Sequence, residues 1–391
     1  MRLGAVPETP LEWLALRLGR IPTPLVDTHL AFAVARTLMV AVRVGVFEAL
    51  ADGERSARDV ATRCATAEGP TARLLHALVG MGYLRPGRAD RIALTRSSRR
   101  WLTRASPDEV LDKVLFGFDE WRFVEGYEAY VREGRSIDMH ASLGDEPPDP
   151  PAGPPRPPFV AAALTEPRVG AAPAATAVSD PGPLATTAWV RYQRGLRAIA
   201  GVSAAEVARR TPVPRRARRM LDIGGAHGRF AAAILRRHPA LHAEVLELAP
   251  AVAASADLLA AEGMGERLRH RIGDALVDHL GEGDVDIVFA SQFNHHLDPG
   301  ANARLAQRVA RALRPGGVYV IQDVARPGDA REARRARLGA LLDLYFGATS
   351  DAGTYTVASM RAWQAEAGLR PLPTRWLRTL PGLVQQAAVR P

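Results

Sequence analysis

The chain has 391 residues but only one cysteine, Cys64, and one lysine, Lys113. A lone thiol excludes an intramolecular disulfide framework and a zinc site built from several thiolates. It agrees with a reducing compartment, and a cytoplasmic location is expected. No run approaches the ~20 apolar residues of a membrane-spanning helix, so no membrane association is expected. The first 24 residues lack a basic start followed by an unbroken apolar run, so no secretory leader is predicted. Also missing are H-E-x-x-H, a G-x-S-x-G elbow and a G-K-[ST] phosphate loop. The ten histidines show no metal-ligand spacing, and no bound metal is expected.

What is abundant is arginine. The net charge is +9 and the pI about 10.4. With a single lysine, nearly all positive charge is guanidinium, and Ala, Pro and Gly are also plentiful, as in GC-rich coding sequence. Basic charge invites a nucleic-acid hypothesis. Here the basic residues are scattered, and no nucleic-acid partner is expected. The length fits two domains with a large core.

The densest information lies at 219–250. A short apolar run ends in Asp222-Ile223-Gly224-Gly225-Ala226-His227-Gly228. A helical pattern follows, with Phe230, Ile234 and Leu235 on one face, then a second apolar run closed by Glu247. This is a strand, a glycine turn, a helix and a strand, the opening βαβ of a nucleotide-binding α/β fold. A side chain at Gly224 or Gly225 is expected to hold the backbone away from a ligand, and Gly228 to let the helix start close to the strand. Glu247 falls where a strand-end carboxylate accepts hydrogen bonds from ribose hydroxyls. The spacing is not the dinucleotide G-x-G-x-x-G. A pyrophosphate wants many N–H groups at a helix N-terminus, whereas the amino-acid part of S-adenosyl-L-methionine needs a tight glycine turn and an acid such as Asp222 for its ammonium.

The C-terminal half continues in kind. Residues 267–272 read as a third strand ending at Asp274 and Ala275, where an acid can meet an adenine amino group. Residues 285–290 form a fourth strand, apolar as a buried parallel strand should be. Ser291, Gln292 and the residues to His296 leave its carboxyl end, where open α/β sheets place ligands. A helix over 301–313 stops at Arg314-Pro315-Gly316-Gly317, followed by a strand over 318–322 ending at Asp323. A helix over 331–345 and strands over 369–378 and 384–389 complete the sheet. Leu248, Ala275, Ser291 and Gln292 join Asp222, Gly224, Gly225, Gly228, Glu247 and Asp274 as candidate cofactor contacts.

The N-terminal half reads as an apolar helix over 27–50, a helix from Ser56 to Ala65, and a third from Pro70 to about Gly82. A hairpin of 83–85 and 91–94 follows. Three helices and a hairpin form a winged-helix pattern. The third helix is mostly apolar, which favours structural or dimerising use over DNA reading. An aromatic-rich segment, 107–132, contains Phe116, Phe118, Trp121, Phe123, Tyr127 and Tyr130. Residues 145–185 are so rich in Pro, Ala and Gly that they read as a mobile surface insertion.

The D-x-G-G-x-x-G string resembles motif I of class I methyltransferases, and L-R-P-G-G-V-Y-V-I at 313–321 is typical of the same group. Together the halves resemble bacterial small-molecule O-methyltransferases related to plant caffeate-type enzymes. The resemblance covers most of 27–391. It implies an α/β fold: a C-terminal Rossmann-like class I methyltransferase domain (186–391) with an N-terminal, mostly α-helical winged-helix dimerisation domain (1–106). A helical linker (107–144) lining the acceptor pocket and the insertion (145–185) lie between them. It also implies S-adenosylmethionine, a homodimer, and O-methylation of a small aromatic or polyketide-like secondary metabolite. Trp121, Tyr192 and His140 are the candidate acceptor contacts. In the family an aromatic-x-x-small-Met helix enters the second domain; here Leu196 stands in place of the Met, filling its volume without the polarisable sulfur.

The family's L-H-D-W motif, whose His is the general base, meets Phe293-Asn294-His295-His296-Leu297-Asp298 here. His295 or His296 aligns with it depending on where the gap falls; matching the helix around Leu305 favours His295. An imidazole with a pKa of about 6.5 can take a phenol or enol proton as the oxygen attacks, and Asp323 is a candidate to orient it. The Asp-Trp pair is absent. N- or C-methylation, non-methylating chemistry on the same fold, and a DNA-binding regulator with a degenerate methyltransferase fold stay open.

Overall fold

A computed structural model describes residues 6–7, 9–143, 187–350 and 352–391. The Pro-rich segment 145–185 lies outside the described residues. The described chain divides into two compact units, one ending at Phe118 and one beginning at Asp119.

The first unit opens with α1 (Pro10–Arg17), capped by Thr9 and Glu12 in a reciprocal box. Short helical turns over Thr23–Leu25 and Val26–Leu30 lead into α2 (Ala31–Arg43). The helix expected over 27–50 is not continuous. Gly45 takes φ +85, a conformation costly for any residue with a Cβ, and the chain restarts as α3 (Val46–Ala49). Ser56 and Asp59 box the start of α4 (Ala57–Cys64). Next, α5 (Glu68–Gly80) begins two residues before Pro70, which sits in its first turn. β1 (Leu84–Pro86) and β2 (Ile92–Leu94) pair antiparallel, and α6 (Arg96–Trp101) follows from a Thr95 cap. Val42, Phe47, Leu50, Val60, Leu75, Leu78, Leu84 and Leu94 fill the core.

The leading helical stretch is open on one side, with Leu25, Leu30, Phe32 and Val34 exposed. Among the described residues, Thr23–Arg43 is by length and composition apolar enough to cross a bilayer. The expectation of no such stretch is corrected. It arose because Asp27, Thr28, His29 and Arg36 interrupt the apolar run, while the mean over 18 residues stays high.

Helix α7 (Leu111–Val124) contains the boundary between the units. The second unit adds α8 (Tyr127–Glu133), α9 (Met139–Ser142) and the 23-residue α10 (Ala188–Arg210). Its sheet comprises β3 (Arg219–Ile223), β4 (His242–Glu247), β5 (Leu268–Ile272), β6 (Val285–Ser291), β7 (Leu313–Val324), β8 (Arg370–Pro371), β9 (Arg375–Trp376) and β10 (Leu383–Val389). The order is β5-β4-β3-β6-β7-β10-β8, with β9 also on β10; β3 to β7 run parallel and β10 antiparallel. The order reverses beside β3, the switch point where such sheets bind ligands.

The strand period of two explains the layers. Val288 and Ala290 of β6 face one apolar cluster with Leu305 and Tyr319; Ile287 and Phe289 face another with Ile234 and Leu235. The helices that cover these faces are α11 (Arg229–Arg237), α12 (Ala249–Ala260), α13 (Pro299–Ala312), α14 (Ala330–Arg335), α15 (Arg337–Thr349) and α16 (Val357–Glu366). Each fully buried Leu or Ile contributes about 1.5–3 kcal/mol.

In this second unit three elements differ substantially from the sequence reading. β7 begins at Leu313 rather than Val318, because Leu313 pairs with Val285 before the register shifts to Val318 with Ile287. The helix expected over 331–345 breaks at Ala336 (φ −102°, ψ 49°). The strand expected over 369–378 is only two short pieces, since Pro371 and Pro373 remove ladder donors.

Candidate active site

At the end of β3 the glycines make room for the chain itself. A Cβ at Gly224 (φ +67) would lie 2.5 Å from the Phe293 ring, and one at Gly225 would lie 2.3 Å from the Asp222 carboxylate. The sequence reading reserved that space for a ligand; Phe293 and Asp222 occupy it. Gly228 (φ +67) caps α11, and a Cβ there would lie 3.2 Å from Leu259 and Leu268, as a tight strand-to-helix entry requires. Ala226 (φ +41) and Gln292 (φ +55) are the non-glycine residues of this unit with left-handed backbone, among those described. One follows β3 and the other follows β6.

Asp222 is 1% exposed, and its Oδ1 has no hydrogen-bond partner. Burial raises its pKa well above the usual carboxylate range, and the nearby charge of Glu247 adds to this. Glu247 accepts from the N–H of Leu248 at 3.0 Å and from that of Ala226. Burial still raises it to about 7. Leu248 and Ile272, at the ends of β4 and β5, leave apolar surface exposed. The sequence reading missed Ile272 and Phe293. The signal for Ile272 was available: it is the last residue of its strand and pairs in register with Glu247.

Other candidates are engaged within the chain. Asp274 accepts from Leu276 N and donates its own N–H to Asp278, both at 2.7 Å, closing its loop. Ala275 sits in the apolar core, with its carbonyl accepting from Arg308 at 3.1 Å. The Ser291 hydroxyl accepts from Gln322 at 2.9 Å, and Gln292 is half-buried. His227 turns its Nδ1 back to accept from Arg229 N at 3.1 Å, and burial pushes it down to about 3. Fully buried Glu262 receives Arg197 of α10 and Arg229 and Arg236 of α11, at 2.8–3.0 Å. It ties these helices together beside the glycine turn.

At the ends of β6 and β7 a short 3-10 turn, Asn294–His296, presents two consecutive imidazoles. His295 is 2% exposed. Its Nδ1 lies 2.8 Å from Asp323 Oδ1, and its backbone N–H donates to Asp323 Oδ2 at 3.2 Å. Val324 N donates to the same carboxylate at 2.8 Å. Phe346 stacks on the His295 ring at 4.0 Å, and Ser350 Oγ donates to the His295 carbonyl at 3.0 Å. The ring is therefore held by Asp323 and Phe346, and its backbone by Ser350. An imidazole whose Nδ1 faces a carboxylate carries its proton there and leaves Nε2 basic.

His296 is half-buried, its ring 4.2 Å from His295 and 4.7 Å from His140. His140 stacks on Trp189 at 5.5 Å, and its Nε2 lies 3.4 Å from the Tyr192 hydroxyl. Burial lowers both imidazoles, His296 well below the ordinary value. Burial raises the Tyr192 phenol, with Glu247 and Glu120 adding to the effect. On α7, Trp121 is half-buried beside Glu120, whose carboxylate accepts from Tyr345 at 3.2 Å. The structure thus brings His140, Tyr192, His295, His296 and Asp323 into one group. Sequence reasoning missed Trp189, Phe346 and the Glu120–Tyr345 pair.

A buried carboxylate without partners is costly unless a ligand completes it. Asp222 and Glu247 suit a molecule bearing a cation and hydroxyl donors; a pyrophosphate beside two acids would meet like charge. S-adenosylmethionine, with one ammonium and two ribose hydroxyls, fits this donor set.

Comparison with known proteins gives an independent view. A family model described as an O-methyltransferase domain matches residues 185–368, and one described as the O-methyltransferase dimerisation domain matches 26–104. Together they span about two thirds of the chain. The 3-hydroxy-5-methyl-1-naphthoate 3-O-methyltransferase of Streptomyces sahachiroi is 26% identical over 353 residues, 90% of this chain and 91% of that one. The tetracenomycin polyketide synthesis 8-O-methyl transferase TcmO of Streptomyces glaucescens is 32% identical over 155 residues, 39% of this chain and 44% of its own. Human N-acetylserotonin methyltransferase in complex with SAM has the same fold, with a TM-score of 0.72 at 19% identity over 99% of both chains.

Proposed function

The chain belongs to the O-methyltransferase family, and we propose that His295, oriented by Asp323, is its general base. It is an S-adenosylmethionine-dependent enzyme that methylates an oxygen of a small metabolite. Bound S-adenosylmethionine supplies an electrophilic methyl group on a positively charged sulfur. Asp222 would hold its ammonium and Glu247 its ribose hydroxyls, while Leu248 and Ile272 would flank the adenine and Asp274 its amino group. Nε2 of His295 takes the hydroxyl proton of the acceptor, and the Asp323 carboxylate stabilises the resulting imidazolium. Phe346 and the buried setting exclude water from that proton.

The observation that carries this reading is the 2.8 Å His295–Asp323 contact at the strand ends of the sheet that also carries Asp222, whose Oδ1 has no partner. The naphthoate and polyketide activities of the two bacterial relatives support an aromatic, polyketide-like acceptor. The exposed apolar side of the N-terminal helices, within the match to a dimerisation domain, supports a homodimer joined through Leu30, Phe32 and Val34. A cytoplasmic enzyme is the corresponding location.

Mass spectrometry of products made with methyl-labelled cofactor tests the reaction. Label on an acceptor oxygen is expected. Label on nitrogen or carbon would move the accepting atom, and product formation with the cofactor intact would overturn methyl transfer.

A further inference from the structure

His295 has a carboxylate, a stacked ring and a hydrogen-bonded carbonyl, but the neighbouring imidazole does not. The rings paired with His296 among the described residues are those of His295 and His140, and its own ring makes no hydrogen bond there. Neither ring nitrogen is among the buried atoms left without a partner, so in the free protein both open to solvent that an acceptor can displace. On its far side His140 is fixed by Trp189, whose ring lies within 12° of parallel, and by the Tyr192 hydroxyl. Burial keeps the His296 ring neutral, an effect the His295 and His140 rings reinforce. A neutral imidazole offers one donor and one acceptor. Both of its nitrogens lack a protein partner. The three rings are not a metal site, since no group of His, Cys, Asp or Glu able to hold an ion occurs among the described residues.

We propose that His296, backed by His140, reads a second oxygen of the acceptor, adjacent to the hydroxyl that is methylated. The substrate class is then an aromatic ring with oxygens at ortho or peri positions. Such oxygens lie about one short hydrogen bond apart, ~2.7 Å, and imidazoles with centres 4.2 Å apart can each meet one of them. His296 accepts from a neighbouring hydroxyl or donates to a neighbouring carbonyl. His296 is thus a specificity-determining residue, and its role rests on the proposed methylation of an acceptor bound at these histidines.

Isomeric acceptors test this with size and hydroxyl count held constant. The pairs are 2,3- against 2,6-dihydroxynaphthalene, and 1,8- against 1,5-dihydroxynaphthalene. Two readouts are taken: kcat/KM for transfer of a labelled methyl group, and Kd on enzyme loaded with S-adenosylhomocysteine. The wild type should favour at least one adjacent isomer about tenfold, the usual worth of one well-placed neutral hydrogen bond. His296→Phe keeps a ring and removes both nitrogens, so the ratio should fall to about 1 in both readouts; His296→Gln, which retains a donor and an acceptor, should keep part of it. A wild-type ratio near 1 for both pairs, or a ratio unchanged in His296→Phe, overturns the proposal. His295→Ala separates the two readings. If it retains turnover while His296→Phe loses the isomer ratio, the base assignment fails and the specificity role stands. If it abolishes turnover while His296→Phe keeps the ratio, the base stands and the specificity role fails.

Discussion

Asp222 and Asp323 end neighbouring parts of one sheet, and both are 1% exposed. Their surroundings differ completely. Asp323 meets two backbone N–H groups and the Nδ1 of His295, all from its own chain. Asp222 has a buried oxygen with no partner, and its near neighbour Glu247 has only two backbone donors against a large burial cost. Asp323 is complete within its own chain, whereas Asp222 is not. On the proposed reading the acceptor side is preorganised, and the cofactor side acquires its charge balance on binding.

The largest expected effect breaks the finished side. His295→Ala should lower turnover by about 10²–10⁴, while the Kd for S-adenosylhomocysteine changes less than about twofold if the proposed base faces the acceptor. His296→Ala should cost less. Single-turnover kinetics with both variants checks the order, and the reverse ranking would transfer the role to His296.

The next pair sets the two acids against each other. Asp222→Ala should weaken S-adenosylhomocysteine binding by about 10–100-fold, the worth of a hydrogen-bonded charge, and leave the unliganded protein as stable or more so. Asp323→Ala should do the opposite to stability, lowering it by about 1–3 kcal/mol because three donors lose their acceptor. Calorimetry and thermal unfolding of both variants decide it; equal destabilisation would erase the contrast.

A pH titration sharpens the cofactor side. Glu247 is raised from 4.5 to about 7 in the free protein. Its proton is favoured by folding, so its stabilising contribution is complete below about pH 4.5 and is lost as pH rises through 7. Ribose hydroxyls need the ionised form. Affinity for S-adenosylhomocysteine should therefore rise with pH toward 7, by at most about tenfold per unit, with proton release detectable in buffers of different ionisation enthalpy. The smallest effect is expected from Glu247→Gln at low pH, where the native group is already neutral. That variant should flatten the pH dependence of binding while changing affinity at pH 5 only about two- to threefold.

The cofactor side was the more legible in sequence because its signals are local. Asp222, the glycine string and Glu247 sit within one βαβ unit, where spacing alone reports strand ends. Its errors came from distant atoms. The room at Gly224 is needed by Phe293, almost 70 positions away, and Asp274 is turned into its own loop by Asp278. On the acceptor side the sequence could not rank two adjacent histidines, since one alignment gap exchanges them. The distinction is spatial: the 3-10 turn directs His295 to Asp323 on the adjacent strand and His296 to a ring on α9. That ring, His140, and its partners Trp189 and Tyr192 come from separate parts of the chain, and no period or motif links them. In the N-terminal unit, helix content was legible, but the break at Gly45 depends on a backbone turn that composition does not reveal.

Ala226 and Gln292 carry a further consequence. A left-handed backbone at a residue with a Cβ costs of order 1–3 kcal/mol, and here it recurs at the mouths of two adjacent strands, where Ala226 donates to Glu247 and accepts from His270 at 2.7 Å. Glycine at either position would relieve that cost at once. A laboratory lineage selected for heat tolerance alone would drift toward Ala226→Gly and Gln292→Gly, gaining a tougher fold with a looser mouth. Thermal robustness and precision of the site would then pull these two positions in opposite directions.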